Sequence, residues 1–178
     1  MALQIVHYPD PVLLAPSRPV IIIDGEVRDR VAEMFPLMEG ADGVGLAAPQ
    51  VGWGVRLFVL CCPRDDGAEP PEREVYINPE IVSGQGQILA EEGCLSFPGL
   101  RVKVARYTQV VVQAQDLSGR EFEVCSSGFH ARALQHEIDH LAGVVFISRL
   151  APAERIAHQA EIRALEEAWK SAAQRQEA

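Results

Sequence analysis

The sequence predicts an α+β fold. Strand-like alternation fills the middle of the chain, and helical periodicity marks both ends and a stretch around residue 135. No strand–helix–strand series of the kind that builds a parallel sheet interrupts that order. The 178 residues suit one domain spanning 1–178, enough to bury about 70% of the unfolded surface.

The elements follow in order. Asp24 can cap a first helix, because its carboxylate accepts from amides left over in the first turn. Val27, Val31, Met34, Phe35 and Met38 then recur at helical spacing. Pro36 falls inside that pattern, where a missing donor and a bulky ring predict a kink or an early end. The next stretch, "EGADGVGLAAPQVG", is rich in small residues and reads as an irregular loop rather than a strand. "VRLFVLCC" and "EVYINPEIV" read as strands joined by the polar loop "PRDDGAEPPERE". "RVKVARYTQVVVQAQDLSGREFEVCSSG" alternates apolar and polar residues around Leu117-Ser118-Gly119, which signals a β-hairpin.

A helix follows the hairpin, with Ser127 placed to cap it and Gly143 to stop it. "VVFISRL" beyond it reads as a short strand or extended segment. Residues 151–178 then close the chain as one helix, with Pro152 in its first turn and Ile156, Leu165 and Trp169 on an apolar face.

Composition narrows the function. A 48% hydrophobic and 23% charged chain is an ordinary soluble globular one, so global disorder is excluded. A net charge of −9 argues against direct nucleic-acid binding, which needs clustered Lys and Arg. The N-terminus lacks the basic and apolar regions of a signal peptide, and no apolar run nears the roughly 20 residues of a membrane span. A cytoplasmic protein is therefore expected. Cys61, Cys62, Cys94 and Cys125 do not form a disulfide framework in such a chain, and each reads as a small buried hydrophobe unless its surroundings give it chemistry.

The chemistry concentrates in His136-Glu137-Ile138-Asp139-His140. On a helix, positions i and i+4 share one face about 6 Å apart, so two imidazoles can hold one ion. Glu137 projects about a third of a turn away, the place for a base acting on water beside a metal. The helix is otherwise apolar (Ala131, Ala133, Leu134, Ile138, Leu141), so its polar cluster is costly unless each group is partnered. Zinc proteases share this pattern, and five residues can also match by chance. A third ligand must decide.

A third histidine of the metzincin type would stand at position 146, which is Phe146. Glu154, Glu161, Glu166 and Glu167 lie late, in the terminal helix. Cys94 in "LAEEGCLSFPGLRV" is the better candidate, since it follows a glycine among turn-forming residues. A Cys/His/His set leaves one coordination position open, the form of a catalytic site. Cys61, Cys62 and Cys125 lie in strand-like apolar runs and keep the buried-thiol reading.

Three stretches taken together resemble the signature motifs of the bacterial and organellar peptide deformylases: "GVGLAAPQ" (Gly43 to Gln50), "EGCLS" (Glu92 to Ser96) and "QHEIDH" (Gln135 to His140). "HYPDPVLL" and the segment after Ser96 are similar too, so the resemblance covers about residues 5 to 150. It implies antiparallel β-sheets packed around a central helix that carries the two histidines. It further implies removal of the formyl group from the N-terminal formylmethionine of new polypeptides, with release of formate. One divalent metal ion comes with the family, natively Fe(II), with Zn, Ni or Co able to take its place.

By carry-over, Cys94, His136 and His140 are the ligands and Glu137 is the acid/base. The Gln50 side-chain amide and the Leu95 backbone N–H are the oxyanion donors. Val44, Leu95, Phe129, Ala133 and His136 line the methionine pocket, although ordinary core packing would explain Ala133 equally well. Gly43 and Gly45 let backbone approach a peptide closely, and Arg101 matches an arginine position of the family. Arg106 matches another and is expected to pair with Asp139 behind the ligands, although a surface ion pair is the simpler reading.

Two departures stand out. Pro36 interrupts a helix that relatives keep regular, and Phe97 replaces smaller aliphatics, which would make the pocket rim bulkier. N-formylmethionyl nascent chains are the implied partner, with the ribosome a further one. Two other readings remain open at this point. One is a zincin-type peptidase. The other is a binding module whose structural metal has four protein ligands, although His7, His130 and His158 lack a convincing ligand spacing.

Overall fold

The computed structural model of the chain describes residues 3–63 and 71–176. The polar loop expected at "PRDDGAEPPERE" falls mostly on residues 64–70, outside the described residues. Helix α1 (Gly25–Gly40) opens as expected, with Val27 N–H donating to Asp24 Oδ1 at 3.1 Å. It continues past Pro36 to Gly40, so the early end does not occur. Phe35 and Met38 are buried on either side of the proline, and their packing holds the last turn despite one missing donor.

Strand β1 (Gly45–Ala47) forms inside the stretch expected to be an irregular loop. Gly45, Leu46 and Ala47 pair antiparallel with Leu60, Val59 and Phe58 of β2 (Leu57–Leu60). Small residues show no alternation, but all three are buried, and buried backbone must be hydrogen-bonded. Next come β3 (Glu74–Gln85), β4 (Ile88–Gly93), β5 (Arg101–Arg106), β6 (Gln109–Gln115) and β7 (Glu121–Ser127). β4 has no counterpart among the sequence-based expectations. Five strands form one antiparallel sheet in the order β1-β2-β3-β6-β7, and β4 pairs with β5 in a second. The hairpin around Leu117-Ser118-Gly119 joins β6 to β7, with Gly119 at φ 82°.

Helix α2 (Gly128–Leu141) carries the motif at the centre of the fold. Ser127 holds its N-cap position without a side-chain capping bond, and Gly143 follows its end at φ 71°. Ala131, Leu134 and Leu141 bury against Phe58, Leu60, Tyr76, Val110 and Val112 of the larger sheet. "VVFISRL" contains a 3-10 helix, Phe146–Arg149, rather than a strand. A short apolar run has no period of its own, and burial of Val145, Phe146 and Ile147 decides its shape.

The terminal helix is divided at His158 into α3 (Pro152–Ala157) and α4 (Gln159–Gln176). The break shifts the apolar face. Ile156 is 73% exposed, whereas Ile162 is buried and Leu165 packs beside it against the smaller sheet's cluster. No disulfide joins the four cysteines; only Cys62 is buried, and Cys125 is exposed on β7. Among the described residues no helix is long and apolar enough to cross a membrane.

Candidate metal and active site

Three elements bring the site together. Helix α2 presents His136, Glu137 and His140 on adjacent positions of one face. The turn after β4 presents Cys94 and Leu95, and is closed by Phe97 N–H donating to Cys94 O at 2.9 Å. The 3-10 helix Ala48–Val51 after β1 presents Gln50. The N-terminal segment ties the last two loops together, because Val6 N–H donates to Gln50 O (2.8 Å) and Tyr8 N–H to Ser96 O (3.0 Å).

Ligand atoms of Cys94, His136 and His140 all lie within 4.8 Å of one another. Cys94 Sγ is 3.2 Å from His140 Nε2. His136 Nδ1 is already taken by Glu92 Oε2 at 3.0 Å, which fixes the ring and leaves its other nitrogen for the cluster. Burial alone would push the His136 pKa down, but hydrogen bonds to Cys94 and Glu92 hold it well above its ordinary value. Burial, with His136 and Arg106 nearby, pushes His140 well below. Metal binding displaces protons from such ligands. These donors fit a divalent ion with nitrogen and sulfur preference. No fourth Cys, His, Asp or Glu joins the cluster among the described residues, which disfavours a closed structural site.

Glu137 is buried, at 4% exposure, and its Oε2 has no hydrogen-bond partner. Burial, the dominant cause, raises its pKa to about 7. Gly45 makes room for it: a Cβ there would overlap Oε1 and stand 2.8 Å from Cδ. Gln50 is oriented by its own loop. Ala47 N–H donates to its Oε1 (2.8 Å), which turns Nε2 toward Cys94 Sγ (3.5 Å) and Ser96 Oγ (3.2 Å).

Arg106 lies behind the ligands, where it was expected, but as a buried hub rather than a surface pair. Its guanidinium donates to both Glu92 oxygens (2.8 and 2.9 Å) and to Asp139 Oδ2 (2.5 Å). Arg149 pairs with both oxygens of Asp139. Burial alone would push the Glu92 carboxyl up, but hydrogen bonds and charge from Arg106, then His136, bring it down to about 2.

A cavity of about 560 Å³ opens over this cluster. Gly43, Val44, Gly45, Gln50, Cys94, Leu95, Arg101, Phe129, Ala133, His136 and Glu137 all line it. Sequence reasoning did not assign Glu92, Ser96 or Arg132. The first two stand inside the "EGCLS" stretch, so their place in a motif was the available signal. Arg132 had none. Phe97 lines the cavity too, but its ring is buried between Tyr8 (4.8 Å, stacked) and Phe146 (4.9 Å, edge-on) rather than thickening an exposed rim. Of the late glutamates, Glu166 accepts from Tyr8 Oη at 3.1 Å, and none joins the ligand cluster.

Comparison with known proteins agrees with this geometry. The sequence profile of the family described as polypeptide deformylase matches residues 2–156. Peptide deformylase of Chromobacterium violaceum is 47% identical over 148 residues, covering 83% of this chain and 86% of the relative. That of Aquifex aeolicus is 45% identical, over 84% and 88% of the two chains. Among solved structures, peptide deformylase 1B of Arabidopsis thaliana superposes with a TM-score of 0.88 at 37% identity, covering 95% of this chain and 93% of that one. The peptide deformylase of Legionella pneumophila gives 0.83 at 38% identity, over 96% and 98%. The chain belongs to the polypeptide deformylase family, metal-dependent hydrolases that remove the formyl group from the N-terminus of newly made polypeptides.

Proposed function

We propose that Cys94, His136 and His140 hold one divalent ion, natively Fe(II), and that the site deformylates N-formylmethionyl nascent chains in the cytoplasm, where they leave the ribosome. The observation that carries this reading is the buried Glu137 carboxylate with an unpartnered Oε2, set beside the three ligand atoms and facing the cavity. When bound, the ion supplies Lewis-acid polarisation and acidifies water. Zn, Ni or Co suit the same donors, and metal analysis of anaerobically purified protein decides among them.

Glu137 takes the proton from the attacking water at Oε2 and returns it to the departing amine as the formyl C–N bond breaks. Burial pushes its pKa up, which favours uptake of that proton. Gln50 Nε2 and the Leu95 backbone N–H are donors for the oxyanion that develops on the formyl oxygen, and Gln50 is aimed before substrate arrives. Val44, Phe129 and Ala133 make the wall for the methionine side chain, while Gly43, Gly45 and Arg101 border the path of the peptide.

The test is formate release from formyl-Met-Ala-Ser by protein loaded anaerobically with Fe(II) or Ni(II). Glu137→Gln is expected to retain stoichiometric metal and lose about a hundredfold or more in kcat. Full activity in that variant would remove the base. Cleavage of internal bonds in unformylated peptides would restore the peptidase reading.

A further inference from the structure

Arg132 is a cavity cation that the reaction leaves without a task. It lies one helical turn before His136 on α2 and lines the same cavity. Its guanidinium carbon stands 5.2 Å from the centroid of the Phe129 ring, a contact that keeps the planar fork in place. Nη1 reaches the Glu91 carbonyl only at 3.4 Å, and among the described residues Arg132 forms no ion pair.

The other arginines nearby are committed. Arg101 Nε donates to the Glu91 carboxylate at 2.7 Å, and Arg106 is held by Glu92 and Asp139. Asp42, from the loop after α1, and the base Glu137 are the acidic residues on the cavity wall that take no ion pair among those described. Arg132 therefore keeps its charge and most of its donors available to whatever enters.

The register of an extended peptide says which side chain meets it. Successive side chains alternate, so the first and third residues share a face about 7 Å apart. The formyl group belongs at the His136–Glu137 end, and the methionine side chain on the Phe129–Ala133 wall. The third side chain then reaches the edge of that wall, about one helical turn from His136, where the Arg132 fork stands. We infer that Arg132, held over Phe129, selects formylated chains with an acidic side chain two residues after the formylmethionine. This rests on the deformylase reading above.

Initial rates on formyl-Met-Ala-X-Ser peptides, with X as Asp, Asn or Lys, test it on the metal-loaded full chain. At low ionic strength kcat/KM should favour Asp over Lys by about tenfold, chiefly through KM, and the preference should shrink in high salt. Arg132→Gln should bring the Asp-to-Lys ratio close to one, and Arg132→Lys should keep part of it. The ratio is read within one preparation, so partial loss of folded protein cancels. An unchanged ratio in Arg132→Gln would overturn the inference while leaving deformylation intact. No formate from any of the peptides with wild-type protein would overturn the deformylase reading, and this inference with it.

Discussion

A carboxylate that carries a proton between water and amine must be kept from solvent yet retain a free lone pair. Glu137 meets both conditions, and Gly45 is the reason there is space. Glycines at 43 and 45 were expected to let a peptide substrate approach. At 45 the group that needs the space is the Glu137 side chain itself. At 43 a Cβ would stand 2.7 Å from the end of the Leu95 side chain, which can move, and 3.2 Å from Met38 O. Gly45→Ala should therefore lower kcat by about tenfold or more with metal content unchanged, because displacing the base acts on the transition state. Formate-release kinetics beside metal analysis would check it, and a variant as active as wild type would show that Glu137 tolerates displacement.

Among the elements, α2 was the most legible, since the polar cluster, the cap position and the stop at Gly143 were all visible in the chain. β4 and β1 were not. Four of the six residues 88–93 are charged or small, and their strand exists because β5 pairs with it from Arg101 to Arg106. β1 has three small or apolar residues, and long-range pairing with β2 alone defines it. The C-terminal helices show the same limit, since only the docked structure reveals that Ile162 rather than Ile156 faces the body. Ile162→Ala should cost about 2–5 kcal/mol through the cavity it leaves, read as a shifted urea midpoint at constant slope. A shift under about 0.5 kcal/mol, the range of surface substitutions, would mean that α4 is not docked there.

Across the whole molecule, buried charge links the smaller sheet to helix α2. Arg106 on β5 joins Glu92 of β4 to Asp139 of α2, and Glu92 holds the His136 ring. Arg106→Met would leave buried Glu92 without its guanidinium partner and Asp139 with Arg149 alone, a loss expected to cost about 3–5 kcal/mol. With Glu92 no longer fixed, metal affinity should fall about 10–100-fold, measurable by chelator competition. Wild-type affinity in that variant would show that Glu92 holds the ring unaided. The residues and their order pointed to the reaction: three collinear motifs, a histidine pair one turn apart and a cysteine among turn residues together match one family. Tertiary structure alone decided which neighbours make that centre work. Glu92, Ser96, Arg132 and the N-terminal segment act through contacts between residues far apart in the chain, and local periodicity carries no record of such contacts.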